Sequence, residues 1–310
     1  MGAPQPILHH YWPSPYSEKV RVMFGLKQIE WGSVVIPSVM PKPEYTPLTG
    51  GYRRTPSLQV GADVYCDTRL IADYLERRYP SPSLYGDASA GLCEAITTWA
   101  EDRLFWPIAR YVIGINAEEV GPALHADRAA MRGRPPIPAD KVKAAAPGNL
   151  PDIHLQLSWI EDMLARSDGY ILGAQPSLAD MSVYHCVWFL GALPVSAASL
   201  LAGYPNTSLW VERMKSLGHG SRQKMKGPEA LEVAASSTPE PFLPSEDEPA
   251  LPLGTPVGIR PVEFGVDVVE GELVSMGPRH VTLLRRDVES LGDIAVHFPR
   301  FQYVIKPVQP

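Results

Sequence analysis

The sequence predicts a multidomain chain: an α/β half, an all-α second part and a small β-barrel-like C-terminal part. Three observations lead there. Strand and helix signals alternate through residues 1–86; helical apolar spacing then runs through 87–226; and after a proline-rich break, short strand signals crowd into residues 254–310. At 310 residues the chain is also too long for one ordinary core, which suggests two or three domains.

Each element follows from local pattern. Residues 6–12 form an apolar strand signal ending at Ser14-Pro15-Tyr16-Ser17. Residues 18–29 carry Val20, Met23 and Phe24 at i, i+3 and i+4, the apolar face of a helix. Residues 31–36 read as a strand, and 37–54 as a proline-rich loop. Residues 57–60 and 63–66 form a hairpin across Gly61-Ala62. Residues 68–78 place Leu70, Ile71, Tyr74 and Leu75 on one helical side, and Tyr79-Pro80 ends the helix. This βαββα-type order predicts a thioredoxin-like half. The helical part is interrupted by proline-rich connections at 133–138 and 147–151. Six prolines between Pro239 and Pro256, with Glu246-Asp247-Glu248 among them, read as part of an extended linker over 227–253. Beyond it, strands are expected at 257–261, 271–275, 280–285, 294–298 and 302–306, with turns at Gly277-Pro278 and Gly292-Asp293.

Composition excludes several function classes. A formal net charge of -6 gives no basic footprint for nucleic acid or an anionic membrane. No apolar run reaches the roughly 18 residues that a spanning helix needs. Met1-Gly2-Ala3-Pro4-Gln5-Pro6 lacks both a signal-peptide core and the Ser or Thr of a myristoylation signal, so a soluble cytoplasmic protein is expected. Cys66, Cys93 and Cys186 form no Cys-x-x-Cys, which argues against a disulfide framework or a zinc site and for buried small hydrophobes. No metal site is expected; His9 and His10 read as core, hydrogen-bonded positions.

Three short motifs carry the chemistry. At Ser14-Pro15-Tyr16-Ser17 a strand gives way to a helix, whose free N–H groups and dipole stabilise an anion or thiolate. The spelling resembles the Cys-Pro-Tyr-Cys of glutaredoxins with both sulfurs replaced by oxygen, so a reactive thiolate has to arrive on a ligand, for which glutathione is the candidate. Pro56 in Arg54-Thr55-Pro56-Ser57 enters a strand; if cis, it leaves the backbone of Thr55 free to pair with an extended peptide, whereas an ordinary turn proline does not. Asp67-Thr68 heads a helix: Thr68 can hold a carboxylate and Asp67 an ammonium, matching a γ-glutamyl end, with a plain N-cap as the alternative.

The order and spacing of these motifs resemble the cytosolic glutathione transferase superfamily over roughly residues 6 to 218. Ser177-Leu178-Ala179-Asp180 is similar to the family's capping box, with Pro176 and Met181 as the staple, and Pro205-Asn206 through Trp210-Val211-Glu212-Arg213-Met214 looks like a late helix of that family. The resemblance implies Ser14 as the hydroxyl that stabilises the glutathione thiolate, with Ser17 a helix cap. It implies Thr55, Pro56, Asp67 and Thr68 as glutathione-binding positions, with Arg54 or Arg53 meeting the glycine carboxylate. Arg103 and Trp106 are candidates for lining a pocket for a hydrophobic electrophile. It also implies a homodimer, in which the thioredoxin-like half packs its exposed sheet face and helix on the partner's helical domain. Thr55 and Asp67-Thr68 depart from the family's usual aliphatic residue and Glu-Ser, leaving the subclass open. The expected activity is glutathione transfer: conjugation, isomerisation or reductive cleavage. A non-catalytic binding module, with the β part as its interaction surface, is the alternative; Ser14 and Ser17 disfavour a thiol oxidoreductase. Residues 257–310 hold six Lys and Arg against seven Asp and Glu, which gives no support to oligonucleotide binding. This segment lies outside the family's two-domain pattern, and covering the active-site mouth, extending an oligomer interface and docking a partner all stay open.

Overall fold

Strand β1 (Ile7–His10) is the axis of the first half of the computed structural model, which describes residues 4–245 and 249–308. The readings of Met1, Gly2 and Ala3 and of the acidic run Glu246-Asp247-Glu248 lie outside the described residues. Helix α1 (Pro15–Leu26) follows, then β2 (Glu30–Val35), a short α2 (Thr46–Thr49), the hairpin β3 (Ser57–Val60) and β4 (Asp63–Cys66), and α3 (Thr68–Arg78). β1 runs parallel to β2 and antiparallel to β3, giving βαβ followed by ββα. Helix α1 starts one turn earlier than its apolar spacing indicates, because Ser14 caps it and Pro15, with φ preset and no N–H to lose, fits its first position.

The second part is helical: α4 (Ala90–Trp99), a π-helical turn at Ala100–Leu104, α5 (Phe105–Ile115), α6 (Gly121–Ala130), α7 (Ala139–Ala145), α8 (Leu150–Ala165), α9 (Leu178–Trp188) and α10 (Pro205–Ser216). The expected capping box forms at the head of α9, where Asp180 accepts from the Ser177 N–H at 2.9 Å and also from Trp210 Nε1 at 2.9 Å. One apolar core joins this bundle to the first half, with Phe24, Trp31 and Leu75 in the same cluster as Leu104, Ile108, Leu157 and Trp210.

The chain then returns to the first sheet, which corrects the sequence reading. Residues expected to finish the helical part form β5 (Ser221–Met225), parallel to β2. The turn into it needs glycine: Gly220 has φ +65°, and a Cβ there would lie 2.3 Å from the Ile29 carbonyl oxygen. The expected linker is pinned at several described residues. Its first residues form α11 (Gly227–Ala235), the Ala230 carbonyl accepts from Gln59 at 2.8 Å, and the Glu240 N–H donates to Asp63 at 2.8 Å. Proline-rich composition shows that a segment builds no core of its own, yet it does not stop the segment docking on another.

The last strands, β6 (Pro256–Pro261), β7 (Val269–Met276), β8 (His280–Val288), β9 (Gly292–Pro299) and β10 (Tyr303–Pro307), do not close a separate barrel. They continue the first sheet into one ten-stranded order, β10-β6-β7-β8-β9-β4-β3-β1-β2-β5. The join is β4 with β9, parallel, with Tyr65 opposite His297. There His297 Nε2 lies 2.8 Å from Asp63 Oδ1, His297 Nδ1 lies 2.9 Å from Thr282 Oγ1, and Tyr65 stacks on the imidazole at 4.4 Å. A second core spans the join, with Leu48, Tyr52, Val64 and Cys66 packed among Val257, Leu273, Val296 and Phe298. Each fully buried side chain of this size contributes about 1.5–3 kcal/mol. The β4 edge is thus paired within the chain.

Candidate functional site

Ser14 stands at the N-cap of α1 with extended backbone (φ -76°, ψ 118°) and is 2% exposed. Its Oγ accepts from the Ser17 N–H at 3.2 Å, which fixes the lone pairs and leaves the hydroxyl proton to donate elsewhere. Ser17 is not the cap that the sequence reading made it. It lies inside the first turn, fully buried, and its own Oγ has no hydrogen-bond partner among the described residues. Tyr16 turns toward the helical part, its ring 5.0 Å from Phe105 and 4.7 Å from His185, and burial pushes its phenol well above the ordinary range.

The Thr55-Pro56 bond is cis, as the motif anticipates. Thr55 Oγ1 accepts from Lys42 Nζ at 3.0 Å. The sequence reading missed this lysine: it is buried, and burial, then the nearby Arg128, bring its pKa down to about 8. Asp67 adopts φ +75°, a conformation uncommon outside glycine, and caps α3 by accepting from the Arg69 N–H at 3.1 Å, so both the plain-cap and ligand readings start from an observed cap. Thr68 is buried beside it as the first residue of α3. Arg54 reaches the same place, with NH1 3.5 Å from Asp67 Oδ2 and Nε donating to the Phe264 carbonyl at 2.6 Å. Arg53 turns away and pairs with Asp127 at 2.7 Å. Arg54 and Asp67 thus meet, and the C-terminal segment joins them: the Tyr303 hydroxyl donates to Asp67 Oδ2 at 3.1 Å and lies 2.9 Å from the Tyr52 hydroxyl. The C-terminal segment therefore contacts the candidate ligand-binding residues directly.

The two acceptor-site candidates separate. Trp106 meets Phe264 edge-on at 5.8 Å, and the Arg132 guanidinium lies over both rings at 5.3 and 4.9 Å. Arg103 is exposed and takes no part in this group. The π-helical turn and Pro107 account for the split. Pro107 has no N–H for the Arg103 carbonyl, which accepts instead from Gln156 Nε2 at 3.3 Å on α8. Burial and the neighbouring Arg110, Arg128 and Arg134 pull the Arg132 pKa down. Arg128 donates to the Tyr11 hydroxyl at 3.1 Å, tying this basic group to the loop that carries Ser14.

Two buried charge networks also escaped the sequence reading. Lys19, fully buried, binds Glu101 at 2.7 Å, and Glu101 faces Arg69 at 3.4 Å. Arg21 donates to Glu18 at 2.7 Å and to the Trp12 carbonyl at 3.0 Å, and touches His10 Nδ1 at 3.1 Å. His10 Nε2 lies 2.9 Å from Ser33 Oγ, and His9 Nε2 2.8 Å from Gln59. Burial lowers their pKa values to about 3 and about 4, so both imidazoles are neutral core groups. Cys66, Cys93 and Cys186 are free and buried.

Comparison with known proteins extends this picture. Residues 8–83 match the family model for the glutathione S-transferase N-terminal domain, and residues 143–213 that for the C-terminal domain. A glutathione S-transferase from Rhodospirillum rubrum shares the fold over 77% of this chain and 96% of its own, at TM-score 0.52 and 19% identity. A Drosophila melanogaster protein named "Probable maleylacetoacetate isomerase 1" is 34% identical over 88 residues, 26% of this chain; the chain spans about a third of that relative, 35% of its length. The crystal structure of a GST-like protein from Pseudomonas syringae aligns with 98% of this chain and 99% of its own, at 36% identity and TM-score 0.76, so it takes in the C-terminal strands as well. With both domain models matched and a relative aligned from end to end, the chain belongs to the cytosolic glutathione S-transferase superfamily.

Proposed function

We propose that this protein is a glutathione-dependent enzyme in which the Ser14 hydroxyl holds the glutathione thiolate for attack on an electrophilic carbon. The observation that carries the reading is the committed geometry of Ser14: its oxygen is used on the Ser17 N–H and its proton is left for an acceptor at the positive end of α1. The magnitudes suffice. Lowering a thiol pKa from about 8.5 to about 6.5 needs roughly 2.7 kcal/mol. A hydrogen bond to a charged group supplies about 1.5–3 kcal/mol and a helix terminus a further 0.3–1 or so, without a protein base.

Arg54, expected at the glycine carboxylate, lies instead beside Asp67 and with it is assigned here to the γ-glutamyl end of the tripeptide, while Lys42 donates to Thr55, the residue before the cis-proline. The grouping of Arg110, Arg128, Arg132 and Arg134 near Trp106 favours an acceptor that carries acid groups. Among the reactions open to an activated glutathione, reversible addition to a conjugated double bond fits this best: the thiolate adds to one carbon, the remaining bond rotates, and the thiolate leaves with the double bond restored. The Drosophila relative's name points the same way. The experiment is a panel of unsaturated acids, halides and aryl ethers followed by two readouts, glutathione consumption and isomer ratio. Isomerisation without net consumption supports this reading, consumption points to conjugation, and tight glutathione binding with neither supports a non-catalytic binding module.

A further inference from the structure

Two loops of the C-terminal sheet reach the residues around Arg54, Asp67 and Trp106. From the β6–β7 loop, the Phe264 carbonyl accepts from Arg54, the Phe264 ring meets Trp106, and the Gly265 N–H donates to the Met131 carbonyl at 2.8 Å. From the β9–β10 loop and the first residue of β10, Gln302 donates to Asp102 at 3.1 Å, Phe301 lies against the Arg69 guanidinium at 5.0 Å, and Tyr303 donates to Asp67. The two loops therefore bind both the first half and the helical part.

Their effect on Arg54 and Asp67 is specific. These opposite charges stand 3.5 Å apart, longer than the roughly 2.7–2.9 Å of a formed charge-assisted hydrogen bond. Each is held by the C-terminal segment: the Tyr303 hydroxyl occupies the Asp67 oxygen that faces Arg54, and the Phe264 carbonyl draws Arg54 Nε. Tyr52, buried below Tyr303, donates to its oxygen once Tyr303 has given its own proton to Asp67, which fixes the direction of the chain of hydroxyls. A pair kept from collapsing onto itself retains free donors on the guanidinium and free acceptor capacity on the carboxylate. A head group bearing both an ammonium and a carboxylate can use both.

We propose that the C-terminal sheet is a third wall of the ligand site, and that Tyr303 is a positioning residue that keeps Asp67 and Arg54 apart and available to the zwitterionic γ-glutamyl end of glutathione. The inference rests on the glutathione-dependent reading above. The test is Tyr303→Phe in the full chain, with glutathione binding followed by calorimetry and the bound thiol titrated by ultraviolet absorbance. The dissociation constant should rise about three- to tenfold, equivalent to about 0.7–1.4 kcal/mol of lost preorganisation, while the thiol pKa stays where it was. Cysteinylglycine, which lacks the γ-glutamyl head, should bind the two proteins equally. Arg279→Ala, at the exposed Asp73 contact of the same sheet, should leave glutathione affinity unchanged. An unchanged or tighter dissociation constant in Tyr303→Phe overturns the proposal, as does an equal loss in Arg279→Ala or for cysteinylglycine. Failure of the wild type to bind glutathione overturns the functional reading, and this inference with it.

Discussion

Replacing Ser14 with Ala separates two things that its hydroxyl does. The oxygen caps α1, and losing that acceptor leaves the Ser17 N–H unpaired at a cost of about 1 kcal/mol of stability. The proton is assigned to the ligand thiolate, and losing it in a site where Ser14 is only 2% exposed should cost the upper part of about 1.5–3 kcal/mol, one to two pKa units on the bound thiol. Rate is the weaker readout. A rise in thiol pKa from about 6.5 to about 8 cuts the thiolate fraction at pH 7 by roughly eightfold. The more basic thiolate is also the better nucleophile, and with a Brønsted slope near 0.45 that returns about fivefold. The net change at neutral pH is thus under about twofold, whereas the pKa moves by a full unit or more. The decisive assay is the ultraviolet titration of bound glutathione in wild type, Ser14→Ala and Ser14→Thr. Thr keeps both oxygen and proton and should restore the wild-type pKa. A Ser14→Ala protein whose bound thiol titrates like wild type, or a Ser17→Ala protein in which the pKa moves instead, refutes the assignment.

Four further outcomes follow from the geometry. Ser17→Ala removes a buried hydroxyl without a partner and should raise thermal stability by up to about 1 kcal/mol; a lower melting temperature would show a hydrogen bond that the structure does not contain. Lys42 has a folded pKa of about 8 against an ordinary 10.5, so the unfolded chain holds more protons between these values, and the stability this group contributes is full above the upper value and lost as pH falls through the lower. Melting temperatures of wild type and Lys42→Met should therefore converge in favour of wild type as pH rises from 8 toward 10.5, by at most about 3 kcal/mol, and a pH-independent gap refutes the shift. His297→Ala strips Asp63 and Thr282 of a buried partner and should cost about 1–3 kcal/mol in a denaturant melt; a neutral result would mean that the join holds without it. The β9–β4 pairing takes a sheet edge, whereas the expected dimer packs a sheet face and helix on the partner, so light scattering at micromolar concentration should give about twice the single-chain mass of 34.0 kDa; the single-chain mass would refute the dimer.

What could be read in the sequence was what local pattern encodes. The hairpin at Ser57–Val60 and Asp63–Cys66 and the helix at Thr68–Arg78 fall where alternation and apolar spacing put them, because their signals lie within a few residues of each other. The same holds for the Asp67 cap and the strand cluster after Pro256. Two kinds of feature had no such signal. Lys19 looks like a solvated charge on a helix, since its partner Glu101 lies 82 positions away, and only the fold shows that the pair is buried. The C-terminal segment misled in the opposite direction: proline-rich sequence followed by short strands reads as a linker and an independent barrel, although the segment's apolar faces are completed by Tyr52, Val64 and Cys66 of the first half. A strand's sequence specifies which face it buries but not which edge it joins. β9 fits either reading until the Asp63 carboxylate, directed at His297, fixes it on β4, and that choice carries Tyr303 to Asp67, the contact on which the proposed third wall of the site rests.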